Sequence, residues 1–479
     1  MNSRSEGGIE AQGRMRAVAV AQLPVTRELA GWAAGFRYAD LPAAVVHQFR
    51  RSLLDYYCAV LAGSTTTTSR AVQSYFADTE TGSAAGVVGT ALRFAPHTAA
   101  FINGAAGRGL DMDDGFAPGS FHPGSVCLPA VMAVAEARGA TTEAVVAAGV
   151  VAYEVGCRLA QAGHPVTWQN GFHNTGINGV FGSAAGVGHL LGLDAQHMTW
   201  ALGMAGSFAS GLFEFCSAGS EVVRLHSGKC ARDGVVVAEM ARRGVDGPAT
   251  GLEGESGYFK AYASGRAKIE ALFDGLGRDY EIVKTYVKPY PCCRHLHAPI
   301  DAVQALKRSH RFDPAAVTHV RVETNHVAAH HCHKHYATFV DAQMSIPYAV
   351  AVALSFDQVS LAAFGAEARA RADVARIVPL VDVAITDAMN HIYPKERPAR
   401  VIITLSDGRQ FDYTQQQPYG EPDNPLDDAA LADKFHIMCD PVVGPERAAA
   451  IQTACWDLDL PAIYRLTALD QRHVPSAVS

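Results

Sequence analysis

No basic run occurs anywhere in this chain of 479 residues, and its formal charge is −7. Nucleic-acid binding needs a basic stripe or patch, so that function class has no electrostatic support. None of the ten cysteines stands in a CxxC pair, which excludes a zinc ribbon and a thioredoxin-like motif. Several thiols lie inside apolar runs and read as small buried hydrophobes. A reducing, cytoplasmic compartment is expected. Long apolar runs are missing as well. The stretch AVAVAQLPV after the polar first residues is short and meets a proline, so neither a signal peptide nor a transmembrane span is expected. Aromatics reach only 8% while hydrophobic residues make up 49%, so the interior must be built from small aliphatic side chains on closely packed helices.

What is present divides the chain. Its length exceeds one simple core, so two domains are the natural reading. Residues 1–25 read as a disordered polar tail. Residues 26–277 carry helical periodicity almost throughout, in Pro42–Leu61, Pro96–Gly109, Val126–Arg138, Thr142–Gly163 and Gly176–Leu191. Such uniformly apolar helices belong in an interior, and Gly179, Gly182, Gly186 and Gly188 allow the last of them to touch its neighbours closely. Residues 278–422 change texture. Glu281–Val287 and Val317–Thr324 alternate like strands. Arg400–Thr404 and Gln410–Tyr413 flank an Asp407-Gly408 turn and read as a hairpin. Helices are expected at Leu296–Ser309, Ser345–Leu354 and Ala372–Asn390. Residues 423–479 turn helical again, over Leu431–Met438 and Pro445–Leu458, and are expected to return to the first core. The fold class is therefore mainly α: a large all-helical domain from both chain ends, with a smaller α+β lid inserted between them.

The chemistry concentrates in turns. Arg108–Pro129, RGLDMDDGFAPGSFHPGSVCLP, sets Asp111, Asp113 and Asp114 one Gly/Pro-rich loop from His122. Acid, base and sharp turns in one place suit proton transfer. Three more segments put a His at a turn: GFHNTG (171–176), RLHSGK (224–229) and KPYPCCRHLHAPID (288–301). His122 and His173 are the leading acid/base candidates, because an imidazole titrates near neutrality; the plainer alternative is that each closes a turn by hydrogen bonding. Asp111 either orients a His tautomer or, if burial raises its pKa, donates a proton. Asp113 and Asp114 are expected to hold the turn through backbone N–H groups. The cations available for a carboxylate substrate are Arg224, Lys229, Lys288 and Arg294. Arg224 ranks first because its planar fork matches both oxygens; the alternative is a plain ion pair, and Lys229 could equally lie on the exposed side of its helix. His297 is expected in a first helical turn facing the cleft. Cys292 and Cys293 read as structural thiols.

These motifs, in this order and spacing, resemble the MmgE/PrpD family, which includes 2-methylcitrate dehydratase, cis-aconitate decarboxylase and iminodisuccinate epimerase. The resemblance runs from about Thr26 to about Leu469. It rests on LDMDD, HPGSVCLPAVMAVAE, GFHNTGINGVFGSAAGVGHLLGLD, RLHSGKCARDGVVVAEMARRGVDGP, KPYPCCRHLHAPIDAV and DAQMSIPYAVAVAL. It implies a homodimer, an active site in an interdomain cleft, no metal or organic cofactor, and chemistry that begins by removing a proton beside a carboxylate of a small polycarboxylate. It assigns Asp111, His122, His173 and His297 to the active site. Two positions depart from the dehydratase- and decarboxylase-like pattern: Gly115 stands where Thr is usual, and Val223 where Lys precedes the retained Arg224. A 2-methylcitrate dehydratase-like lyase is the leading expectation. An iminodisuccinate-type epimerase, which needs two opposed acid/base groups and no leaving-group assistance, is the runner-up, with a cis-aconitate decarboxylase-like reaction as a further possibility. NHVAAHHCHKHYATF, holding His326, His330, His331, His333, His335 and Cys332, has no clear family counterpart. It leaves open a non-catalytic or metal-binding role.

Overall fold

The computed structural model describes residues 24–393 and 395–469. The expected tail lies outside the described residues except at its end, where Val25 already opens a helix, Val25–Gly35, and is buried. The chain is mainly α-helical, with a few small sheets. No helix among the described residues is long and apolar enough to cross a membrane.

The long helices form where the apolar spacing places them, and local chemistry ends them. Gly124–Arg138 stops at Gly139, whose φ of +59° suits a residue without Cβ. Thr141 then caps Thr142–Gly163, its side chain accepting from the Ala144 N–H. Asn174–Leu190 runs against both. A Cβ at Gly182 would come within 2.8 Å of the Ala152 carbonyl oxygen and 2.9 Å of Cys127 Sγ, so glycine here sets the helix spacing. Phe49, Leu53 and Val131 share one core with Leu431, Phe435, Ile451 and Ile463 of the C-terminal helices. Each such side chain contributes roughly 1.5–3 kcal/mol by leaving water.

A second core lies around a four-stranded sheet of order Val381–Ile385, Val317–Thr324, Ala399–Leu405, Gln410–Gln415. The last three strands run antiparallel, with Val322 opposite Val401 and Val320 opposite Ile403. Gly408, at φ +85°, makes the hairpin turn. Helices His297–Ser309 and Ile346–Ser355 pack on the apolar face through Ile300, Val303, Tyr348 and Val350.

Two expected elements differ. Ala372–Asn390 is not one helix. It breaks after Ile377 into a 3-10 turn at Val378–Leu380, and Val381–Ile385 pairs in parallel with Val317–Thr324. Pro379 cannot donate to a helix ladder, and the β-branched residues after it gain an edge partner. Glu281–Val287 is a strand only at Thr285–Tyr286, which pairs with Gly115–Phe116. The Glu281 and Ile282 N–H groups instead reach buried Glu154 Oε1, and a 3-10 turn at Glu281–Lys284 results.

Candidate active site

The helix Pro96–Gly107 ends at Arg108, and the chain then turns through Asp111 at φ +55°. Few residues other than glycine accept that left-handed geometry, though Asp is among the more tolerant. Charge secures it here. Arg108 Nη1 donates to Asp111 Oδ1 and, at 2.7 Å, to Asp113 Oδ1. Lys288 Nζ reaches Asp111 Oδ1 at 2.8 Å and its carbonyl oxygen at 3.1 Å. Burial opposes ionisation of Asp111, but Arg108 and Lys288 outweigh it and hold the carboxyl well below the usual carboxylate range. Asp111 is therefore ionised and is not the buried proton donor considered from the sequence. The group with a raised pKa is Asp114, pushed up to about 8 by burial and by Asp55. Its Oδ1 accepts the Gly124 N–H at 2.8 Å, holding the turn, and its Oδ2 lies 2.7 Å from the Tyr153 hydroxyl.

His122 sits across this turn. Its Nδ1 lies 2.7 Å from the Asp114 carbonyl oxygen, which can only accept. Nδ1 therefore carries the proton and Nε2 the lone pair. The orienting group is this backbone carbonyl rather than the Asp111 carboxylate. Burial, and next Arg108, push His122 down to about 3, so the ring is neutral near pH 7. Its side chain is 13% exposed, and no partner for Nε2 is found among the described residues. A neutral imidazole with an unengaged lone pair can accept a proton, though at about 3 it is a weaker base than a free imidazole.

His173 precedes the helix Asn174–Leu190, and its Nδ1 lies 2.9 Å from Nδ1 of His226. One proton lies between those atoms, so the two rings are opposite tautomers. Burial lowers both, His226 to about 4. His226 lies within RLHSGK, but nothing local in the sequence marks it; only folding shows that its ring meets His173. The turns are tied together. The His122 N–H donates to Thr175 Oγ1 at 3.2 Å, Asn174 Nδ2 donates to the Gly119 carbonyl at 2.7 Å, and the Ser125 and Ser227 hydroxyls lie 3.1 Å apart. His173 lies within electrostatic reach of His122, Arg108 and Asp111.

The predicted cations separate. Lys288 joins Asp111 directly. Arg224 is buried and donates to the Arg108 carbonyl at 3.1 Å and to Gln343 Oε1 at 2.9 Å. Gln343 in turn donates to the carbonyls of Leu110 and Pro291. Arg294 spans Glu421 Oε1, the Tyr419 carbonyl and His297 Nδ1, each at 2.9 Å. His297 does begin its helix, but its ring is fully buried, with Nε2 donating to the Cys292 carbonyl at 3.2 Å. With both nitrogens engaged it braces Arg294 instead of facing a cleft. Lys229 lies apart, bonded to the Phe208 carbonyl and 2.8 Å from Asp233.

Sequence reasoning missed Arg108, Arg397 and Tyr286. Arg108 stands three residues before Asp111, and that spacing was the available signal. Tyr286 accounts for Gly115. A Cβ at residue 115 would lie 2.2 Å from the Tyr286 hydroxyl, so the ring occupies the space a Thr side chain needs. That ring is edge-on to His122, with Arg294 over it at 4.6 Å and Arg397 at 5.7 Å. The His-rich segment does not converge. His326 bonds Asn390, His331 meets Cys293 and the Met344 carbonyl, His333 meets the His335 carbonyl, and His335 pairs with Asp341. Among the described residues no three potential ligands meet in a metal-sized group. A cavity of about 400 Å³ opens behind the Thr285–Tyr286 strand, lined by His47, Arg51, Asp428 and Glu421 among others. None of His122, His173 and His226 borders it, so the candidate site lies at the turns and not in this cavity.

Residues 27–270 match the MmgE/PrpD N-terminal domain, and residues 290–459 match the MmgE/PrpD C-terminal domain. The chain belongs to the MmgE/PrpD family. Among curated relatives it is similar to a cis-aconitate decarboxylase of Aspergillus terreus (strain NIH 2624 / FGSC A1156), at 27% identity over 91% of this chain and 93% of the relative. The cis-aconitate decarboxylase-like protein oryM of Aspergillus oryzae is 27% identical over 91% and 95%. A human cis-aconitate decarboxylase is 28% identical over 51% and 52%. In this MmgE/PrpD chain Asp111, His122, His173 and His226 therefore lie within the matched N-terminal domain, while Arg294 and His297 come from the C-terminal one.

Proposed function

We propose that this MmgE/PrpD protein is a lyase that moves a proton at the carbon beside a carboxylate of a small di- or tricarboxylic acid. The observation that carries the reading is His122, a neutral ring whose Nδ1 is committed to a carbonyl and whose Nε2 is left to take a proton. The neutral His173–His226 pair stands in reach as the second proton-handling group. Asp111 serves as an ionised anchor for Arg108 and Lys288, and these cations with Arg224, Arg294 and Arg397 offset the charge of an anionic substrate.

Decarboxylation of a cis-aconitate-like acid is the finer reading favoured by the relatives that match nine-tenths of the chain. Such a reaction breaks a carbon–carboxylate bond and must return one proton to carbon. Dehydration is the second reading, favoured by a base held unprotonated, since elimination begins with proton removal. Incubation in D₂O with cis-aconitate, 2-methylcitrate, citrate and iminodisuccinate, followed by NMR, distinguishes them. Loss of CO₂ from cis-aconitate with one deuteron gained supports the decarboxylase. A new alkene from a hydroxy acid selects the dehydratase, and inversion without an alkene selects the epimerase. Inertness toward all four overturns the substrate class. A homodimer is proposed from the family resemblance; sedimentation should give twice the chain mass.

A further inference from the structure

Within KPYPCCRH, Cys293 Sγ lies 3.5 Å from His331 Nε2. His331 Nδ1 is 3.0 Å from the Met344 carbonyl oxygen, which accepts its proton. That bond aims Nε2 at the sulfur. Nucleophile, base and orienting group thus stand in line, the arrangement that activates a thiol. His331 is buried, Cys293 is half-buried, and His295 stacks on the His331 ring at 5.8 Å and 25°. Burial alone raises the Cys293 thiol, but His331 outweighs it and draws the thiol below its ordinary value, while Cys293 draws His331 up. Asp111 and Lys288 face the pair from the Asp-rich turn and the segment after Tyr286, and Tyr393, Cys216 and Arg397 from other sides.

A second observation sets the chemistry of the partner. Arg397 is 7% exposed and within electrostatic reach of Cys293, yet its Nε is buried without a hydrogen-bond partner. Its other nitrogens lie 3.4 Å from Glu421 Oε1 and 3.3 Å from the Ala117 carbonyl oxygen. A buried guanidinium paired with Glu421 but keeping one N–H unused can take a further anionic partner.

We propose that Cys293 is an activated thiol that captures small α,β-unsaturated carboxylates by conjugate addition, with His331 as its proton partner and Arg397 holding the carboxylate. His331 Nε2 takes the thiol proton, the sulfur lone pair forms a C–S bond at the β-carbon, the alkene π electrons move to the α-carbon, and that carbon takes the same proton back from Nε2. The net change is addition of S–H across the double bond, and no further reactant is needed. The capture is separate from the lyase reading, because labelling requires no turnover.

The test uses the full chain and peptide mapping by mass spectrometry, with exposed Cys332 as the internal comparator. Near pH 6, iodoacetamide should label Cys293 about ten times faster than Cys332, since a depressed thiol keeps its thiolate fraction there. His331→Gln should move the pH midpoint of Cys293 labelling up toward about 8.5, the free-thiol value. Iodoacetate should outpace iodoacetamide at Cys293 but not at Cys332, and Arg397→Gln should remove that preference. Acrylate should leave one adduct, on Cys293. The thiol assignment is overturned if Cys293 reacts no faster than Cys332, or if its wild-type midpoint already sits at the free-thiol value; that profile decides even where His331→Gln does not fold. Equal rates for the two iodo reagents, or no acrylate adduct, overturn the unsaturated-carboxylate assignment.

Discussion

His122 shows how little of a residue's chemistry its identity fixes. The same imidazole protonated would be an acid; burial, Arg108 and one carbonyl leave it neutral with a defined lone pair. His122→Asn can keep the bond to the Asp114 carbonyl while removing that lone pair. We expect kcat to fall by about 10²–10⁴, the usual worth of a positioned base, with the circular dichroism spectrum and Tm close to wild type. Several other imidazoles are also held neutral. His164 and His226 lie at about 4, and His173, His295 and His297 well below their ordinary value, all chiefly through burial. In the unfolded chain each takes a proton at about pH 6.5, so below that point the unfolded state binds more protons. The contribution of these rings is then full above about pH 6.5 and is lost as pH falls toward the folded values, at up to about 1.4 kcal/mol per pKa unit for each ring. Asp114, raised to about 8, works the other way, and by itself does not offset the five rings. Urea midpoints should drop steadily from about pH 7 to about pH 5. An unchanged midpoint means that these rings are already charged in the fold.

At the scale of elements, the Gly115–Phe116 pairing with Thr285–Tyr286 does more than close a turn. It delivers Tyr286 into the space beside residue 115. Gly115→Thr, which restores the commoner family residue, should destabilise by about 1–3 kcal/mol through overpacking. Adding Tyr286→Ser should recover most of that loss in urea unfolding. If the single variant is neutral, the ring does not fill that space. The left-handed Asp111 turn makes the opposite case, one of charge. Asp111→Asn leaves Arg108 and Lys288 buried with less compensation and should cost about 3–5 kcal/mol, read from the same titration. The long helices were legible because a 3.6-residue apolar period and the caps at Thr141 and Gly139 agree. Val381–Ile385 was not, because a short strand earns its identity from the neighbour it pairs with, and that neighbour is some sixty residues away in sequence.

Over the whole molecule, Gln343 is a buried polar link between the helical core and the sheet-bearing part. It receives from Arg224 and donates to the Leu110 and Pro291 carbonyls, all in buried surroundings. Gln343→Ala strands these groups and should cost about 2–4 kcal/mol; kcat should fall with it, because Leu110 precedes the Asp111 turn. Wild-type kcat together with lowered stability would show that this link holds the fold but not the site. The sequence by itself determined that this is a mainly helical MmgE/PrpD chain and singled out its Asp- and His-bearing turns as the candidate site, because periodicity, capping and motif order are local properties of the chain. Tertiary structure alone decided which of those groups are charged and which touch. It made Asp111 an anion and Asp114 an acid, paired His173 with His226, sealed His297 behind Arg294 and set His331 on Cys293. Protonation and contact depend on desolvation and on partners brought from distant segments, and those exist only once the chain has folded.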